Sequence, residues 1–192
     1  MVIGPKNDPA EISKLTDAAA AFKKIADAGA AFVSRGDDSG THTKEQQIWK
    51  ATDVLMLTET KEIIKKGKTA TITFIHPKGM GEWYFSIGQG MGATITFAEE
   101  KQTYTLADRG TYLAYKYGRT RGLDLDVLCE GDAQLKNEYG LIPVSQKKFP
   151  HVRYDLAKKF VKWITSSKGQ GLIANYKLHG KQLFYPDFSP MK

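Results

Sequence analysis

Residues 32–42 read F-V-S-R-G-D-D-S-G-T-H: an apolar run that ends at Val33, then a loop holding a guanidinium, two carboxylates, several hydroxyls and two glycines. Residues 43–50 follow with helical spacing, so the stretch is a strand-to-helix turn, the join from which α/β folds are built. Ser39-Gly40-Thr41 falls at the start of that helix. There the first backbone N–H groups lack intrahelical acceptors and the helix dipole presents about half a positive charge. Gly40 lets a ligand approach the backbone closely, Ser39 and Thr41 offer hydroxyl donors, and Arg35 adds a fixed fork of charged donors. The bland reading is a helix cap with surface charges around it. The joint presence of Arg, Asp, Ser, Gly and Thr favours a socket for an anion. A carboxylate facing an anion would repel it, so one of Asp37 and Asp38 is expected to orient Arg35 and the other to cap the helix.

A second loop, Gly88-Gln89-Gly90-Met91-Gly92-Ala93-Thr94, leads into a helix running to about residue 100. It lacks the third glycine of the dinucleotide fingerprint, because position 93 is Ala, and it has no Lys-Ser or Lys-Thr pair to make a P-loop. Alone it is a tight helix start. Beside the first loop it becomes a second wall of the same site, with Gln89, Gly90 and Met91 as candidates. A nucleotide-using enzyme built around these glycines is the alternative from another class; it predicts ATP or NAD binding that Arg35→Ala leaves intact.

Strands and helices alternate through the rest of the chain. Asp8-Pro9-Ala10-Glu11 has the form of a helix start, and a longer helix follows Thr16 with Leu15, Phe22, Ile25 and Ala26 on one face and Gly29 as its stop. Residues 30–34 read as a buried strand, 59–66 as a helix closed by Gly67, and 69–75 alternate as a strand. A turn follows at 76–81. Asp108 caps a helix carrying Tyr112, Leu113 and Tyr115. Residues 123–129 and 141–144 read as strands, and two helices follow at about 153–165 and 168–176. The class is α/β with a largely parallel sheet.

The bulk properties exclude more than they identify. The 192 residues suffice for one domain or two small lobes with a real core. No apolar run reaches the roughly 18 residues needed to span a bilayer, and no signal peptide is visible after Met1. Cys129 is the single cysteine, and His42, His76, His151 and His179 show no ligand spacing, so neither a disulfide nor a metal site is expected. Net charge is +7, with a basic C-terminal region. Its Lys158, Lys159 and Lys162 lie opposite Leu156, Phe160, Val161 and Ile164, as on a solvated helix face; nucleic acid is not an expected partner. No nucleophile, base and orienting group share a recognisable spacing. The reading is a binder, not an enzyme, with no cofactor beyond its ligand.

Six blocks together carry a resemblance: F-V-S-R-G-D-D-S-G-T-H-x-K-E (residues 32–45), E-W-Y-x-x-x-G-Q-G-M-G-A-T (82–94), Y-T-L-A-D-R-G-T-Y-L-A (104–114), N-E-Y-G-L-I-P-V (137–144), V-I-G-P-K-N-D-P-A (2–10) and S-S-K-G-Q-G-L-I-A (166–174). They resemble the tungstate-binding proteins of ABC importers, within the type II periplasmic-binding-protein superfamily; the R-x-D-x-S-G-T core is also similar to the superfamily's phosphate-binding proteins. The resemblance implies two α/β lobes joined by crossover strands and closing on an oxyanion, in the periplasm or another extracytoplasmic space, with a membrane permease as partner. The family's arginine and threonine ligands map onto Arg35 and Thr41. Ser39, Gly40, Gln89, Gly90 and Met91 are candidates by position, Asp37 and Asp38 support them, and Tyr139 sits where the chain returns toward the first lobe.

Two departures stand out. The family carries an opening segment, with a Thr/Ser-rich oxyanion loop, before V-I-G-P; and residues 51–81 look longer than its usual connection. The expected layout is therefore a starting crossover strand at 1–10, a complete second lobe at 11–140, and the C-terminal part of a truncated first lobe at 141–192. A partial ligand shell predicts weakened affinity, and an exposed lobe face predicts association. The alternatives left open are a molybdate or phosphate binder, and a non-transport homologue that acts as a homo-oligomeric interaction protein.

Overall fold

The computed structural model describes residues 1–65 and 67–188 and divides into two compact units, 1–136 and 137–192. In the first unit, β1 (Val2–Gly4) opens the chain and α1 (Ala18–Asp27) follows. The Asp17 carboxylate caps α1 by accepting from the Ala20 N–H, and Ala18, Ala21, Phe22 and Ile25 form its buried face. β2 (Phe32–Ser34) leads into α2 (Gly40–Lys50). The long strands β3 (Met56–Lys65) and β4 (Lys68–Pro77) come next, then β5 (Tyr84–Ser86), α3 (Met91–Lys101), β6 (Thr105–Leu106), α4 (Arg109–Gly118) and β7 (Asp126–Cys129). The second unit contains α5 (Tyr154–Ile164), α6 (Ser167–Asn175) and the small pair β8 (Lys177–Leu178) and β9 (Lys181–Gln182).

β2 pairs in parallel with β5, and a parallel bridge joins Phe32 to Tyr104 just before β6. β1 lies between β6 and β7 and runs antiparallel to both. The strands of the first unit's main layer thus share one direction except β1, and the loops after β2 and β5 emerge side by side at their carboxyl ends. Beneath them, Phe22, Phe32, Trp49 and Tyr84 make an aromatic core, with Phe22 and Trp49 rings 4.6 Å apart and Phe32 stacked on Tyr84 at 5.8 Å. Edge and offset contacts of this kind add to the large apolar area such rings bury.

Three local expectations are corrected. Asp8 to Glu11 start no helix: Asp8 and Glu11 take positive φ, and the Asp8 carboxylate accepts from the N–H of Ile12 and Ser13 and from the Tyr104 hydroxyl. The residue suited to capping closes a tight turn instead, because a long-range tyrosine holds it there. Residues 59–65 are strand, not helix; Lys66 lies outside the described residues. β3 and β4 form a hairpin in register from Met56↔Pro77 to Lys65↔Lys68, and Gly67, just before β4, takes φ +73°, a conformation that glycine adopts without strain. Residues 141–144 form no strand. No strand pairs with them among the described residues, and Ile142 is 90% exposed. Backbone groups of an apolar tetrapeptide need a ladder partner to make a strand. No helix of the described residues is long and apolar enough to cross a membrane.

Candidate functional site

The carboxyl end of β2 and the start of α2 make the first half of the site. Ser39 is the helix cap, its hydroxyl accepting from the His42 N–H at 3.3 Å. Gly40 and Thr41 are then the first residues of α2, with backbone N–H groups that no helical carbonyl can reach. Asp37 performs two tasks at once: it accepts from Arg35 Nη2 at 2.6 Å and from the Ser39 N–H at 3.3 Å. Arg35 Nη1 lies 3.5 Å from the Thr41 hydroxyl, so these two side chains meet over the helix start. Asp38 takes φ +55°, and its N–H donates to His42 Nδ1 at 3.1 Å. Gly36 (φ +57°) turns the chain, and its N–H donates to Ser34 Oγ.

The second half follows β5. Its glycine loop leads to Gly90, which precedes α3 without a side-chain cap, so the amides of this helix start are also available. The two loops are tied together through the main chain: Gln89 N–H donates to the Arg35 carbonyl at 3.0 Å and Ile87 N–H to the Ser34 carbonyl at 3.3 Å. Gln89 and Gly90 are exposed, whereas the Met91 side chain is buried. An open cleft of about 430 Å³ beside this turn is lined by Lys61, Glu62, Ile63, Ile64, Ile87, Gly88 and Gln89. Tyr139 belongs to the second unit, where it is exposed and stands edge-on to Phe184 at 5.6 Å.

Electrostatics distinguish the groups. Burial opposes the charge of Asp37, but hydrogen bonds from Ser39 and Arg35, together with the Arg35 charge, hold its carboxyl below the usual range. Burial pulls His42 down, which keeps it neutral and able to accept from Asp38. One turn further along α2, burial pushes Glu45 up to about 7. Its Oε1 accepts from the Tyr84 hydroxyl at 2.7 Å and from Trp49 Nε1 at 3.2 Å. What remains at the strand ends is a concentration of donors: a guanidinium, hydroxyls and helix-start amides, with the nearest carboxylate already committed to Arg35. Such a surface suits an acceptor-rich anion.

Two participants escaped the sequence reading. Lys61 Nζ donates to Ser86 Oγ at 2.7 Å at the end of β5. The signal for Lys61 was the alternation Glu59-x-Lys61-x-Ile63, flanked by Thr58, Thr60 and the β-branched pair Ile63-Ile64.

A family model described as a PBP superfamily domain matches residues 1–168. The tungstate-binding protein TupA of Peptoclostridium acidaminophilum is 39% identical over 191 residues, covering 97% of this chain and 57% of the relative. A solved structure of the tungstate-binding protein TupA from Desulfovibrio alaskensis G20 is 40% identical with a TM-score of 0.80, covering 98% of this chain and 66% of that one. The structure of the tungstate ABC transporter from Geobacter sulfurreducens is 39% identical with a TM-score of 0.64, covering 91% and 63%. This chain spans about half the length of the curated relatives it matches.

Proposed function

Because this chain belongs to the PBP superfamily, we propose that it serves as the substrate-binding component of an ABC importer, capturing a tetrahedral oxyanion outside the cytoplasm for a membrane permease. Tungstate is the first candidate, molybdate and phosphate the next. One observation carries the reading: Arg35, Thr41 and the first amides of α2 and α3 stand where the β2 and β5 loops are bonded to each other. The relatives named for tungstate support the choice of ion. So does the state of Asp37, which already accepts from Arg35 and Ser39. Tungstate and molybdate are fully deprotonated near neutral pH and need donors only, whereas phosphate keeps a proton that a carboxylate would have to accept. The role is capture, with no bond made or broken.

Calorimetric titration with tungstate, molybdate, sulfate and phosphate tests the proposal. Tungstate is expected to bind most tightly. No heat with any of the four at millimolar concentration would sink it. One observation favours the second reading, an oligomeric interaction protein: Leu156, Phe160, Trp163 and Leu172 are all at least 42% exposed in the second unit. Sedimentation separates the two, since a monomer that binds tungstate excludes an interaction-only role.

A further inference from the structure

The cleft beside the Gly88-Gln89-Gly90 turn has a wall that the loops after β2 and β5 do not supply. It is the hairpin of β3 and β4. Glu59, Lys61 and Ile63 share one face of β3, opposite Phe74, Ile72 and Ala70 of β4, and this face is the more buried one. The hairpin is anchored to α2: Ile75 N–H donates to Gln46 Oε1, and the Phe74 ring stands 5.5 Å from His42. Lys61 passes over Phe74, with Nζ 4.8 Å from the ring centroid, and ends at the carboxyl ends of β2 and β5. A Cβ placed on Gly36 would come within 3.1 Å of that Nζ, so the ammonium lies one residue along the chain from Arg35.

The ammonium itself stands over the Phe74 ring, a cation–π contact. That contact supplies no formal negative charge and accepts none of its conventional hydrogen bonds. An ammonium offers three donors. Among the described residues, only the Ser86 hydroxyl accepts from this one, and no carboxylate stands within ion-pair distance of it. Burial pulls the Lys61 pKa below the ordinary lysine value. The Glu59 charge opposes that shift from a distance without pairing directly, and a half-buried cation with no carboxylate in contact is an expensive arrangement for a merely structural residue. Ligands of open α/β sheets gather at the carboxyl ends of the strands, which is where this charge has been delivered.

We infer that Lys61 is a ligand-contacting residue of the oxyanion site, brought by the hairpin as a third wall, and that its ammonium leaves Ser86 to pair with the bound dianion. This rests on the oxyanion reading above. The test is calorimetry with sodium tungstate on the wild-type protein and on Lys61→Met, Lys61→Arg and Ser86→Ala, each checked for an unchanged thermal unfolding midpoint. Lys61→Met is expected to weaken tungstate about tenfold or more, as loss of a charge-assisted hydrogen bond does. Lys61→Arg should stay closer to wild type. Ser86→Ala removes only the resting partner and should bind at least as tightly as wild type. Wild-type binding with Lys61→Met inside twofold of it overturns the role of Lys61 and leaves the oxyanion reading standing. Ser86→Ala weakening tungstate as much as Lys61→Met would also overturn it, because the pair would then be acting as structure. Wild-type protein that binds no tungstate, molybdate, sulfate or phosphate removes both. If Lys61→Met fails to fold, Lys61→Gln carries the same comparison.

Discussion

Arg35 is held in place by groups of its own loop, a carboxylate on one nitrogen and a hydroxyl near the other. A ligand meeting it need not order a long side chain, which removes a cost that commonly weakens binding by arginine. Arg35→Ala should therefore reduce tungstate affinity a hundredfold or more in calorimetry, on the scale of about 1.5–3 kcal/mol for each charged hydrogen bond lost. Arg35→Lys should recover only part of it, since an ammonium cannot reproduce the planar fork. Gly36→Ala tests the turn beside it. The backbone there is left-handed, and a methyl group would run into Ser86 and Lys61, so a cost of about 1–3 kcal/mol is expected in urea unfolding. Glu45 supplies a third test. Its carboxyl titrates near 4.5 when unfolded and near 7 when buried. Between those values the folded chain keeps a proton that the unfolded chain releases, so this group lowers stability as pH rises, by about 3 kcal/mol in all. Glu45→Gln keeps an acceptor for Tyr84 and Trp49 and should remove that slope. Urea unfolding from pH 5 to 8 should show the variant gaining on wild type through the window; His42, which acts in the opposite sense as pH falls, cancels in the difference. A constant difference would mean that Glu45 ionises as an exposed carboxylate does.

At the scale of elements, the sequence was most readable where local chemistry and tertiary context agree. Asp108 is a helix cap in sequence and structure, and residues 32–34 are a strand in both; the expectation that Asp37 or Asp38 caps α2 is corrected, because the Ser39 hydroxyl takes that place while Asp37 holds Arg35. The arrangement of Arg35 over Thr41 follows from a single short loop, so its members could be named from the sequence. The β3–β4 hairpin was missed because Glu59, Lys61, Glu62 and Lys65 suit a helix as well as an exposed strand, and only pairing with β4 decides between them. With the hairpin went Lys61, whose place depends on a contact 25 residues away in sequence. The hairpin is the element on which stability and binding should separate. Phe74→Ala removes its buried foot, a change of about 3–5 kcal/mol for a fully packed phenylalanine. In hydrogen exchange it should expose the β3 and β4 amides before those of β2 and β5. Equal acceleration everywhere would make the hairpin part of the cooperative core.

At the scale of the molecule, the two units differ in what they bury. The aromatic and aliphatic core lies entirely within residues 1–136, whereas Gly169 is the only buried residue among those described in 137–188. Limited trypsin digestion should release a folded piece ending near Lys136 that keeps the fluorescence of Trp49 and Trp83. The isolated 137–192 segment should unfold without a cooperative transition, and a sharp calorimetric peak from it would contradict this. The tie from Gln89 N–H to the Arg35 carbonyl has a consequence for selectivity. The distance between the two loops is set by main-chain bonding between neighbouring strands, independent of any side chain that grips the ion. It works as a caliper. Substituting Thr41 should lower every affinity while leaving the order of tungstate, molybdate, sulfate and phosphate unchanged, whereas a change in the strand pairing itself should re-rank them.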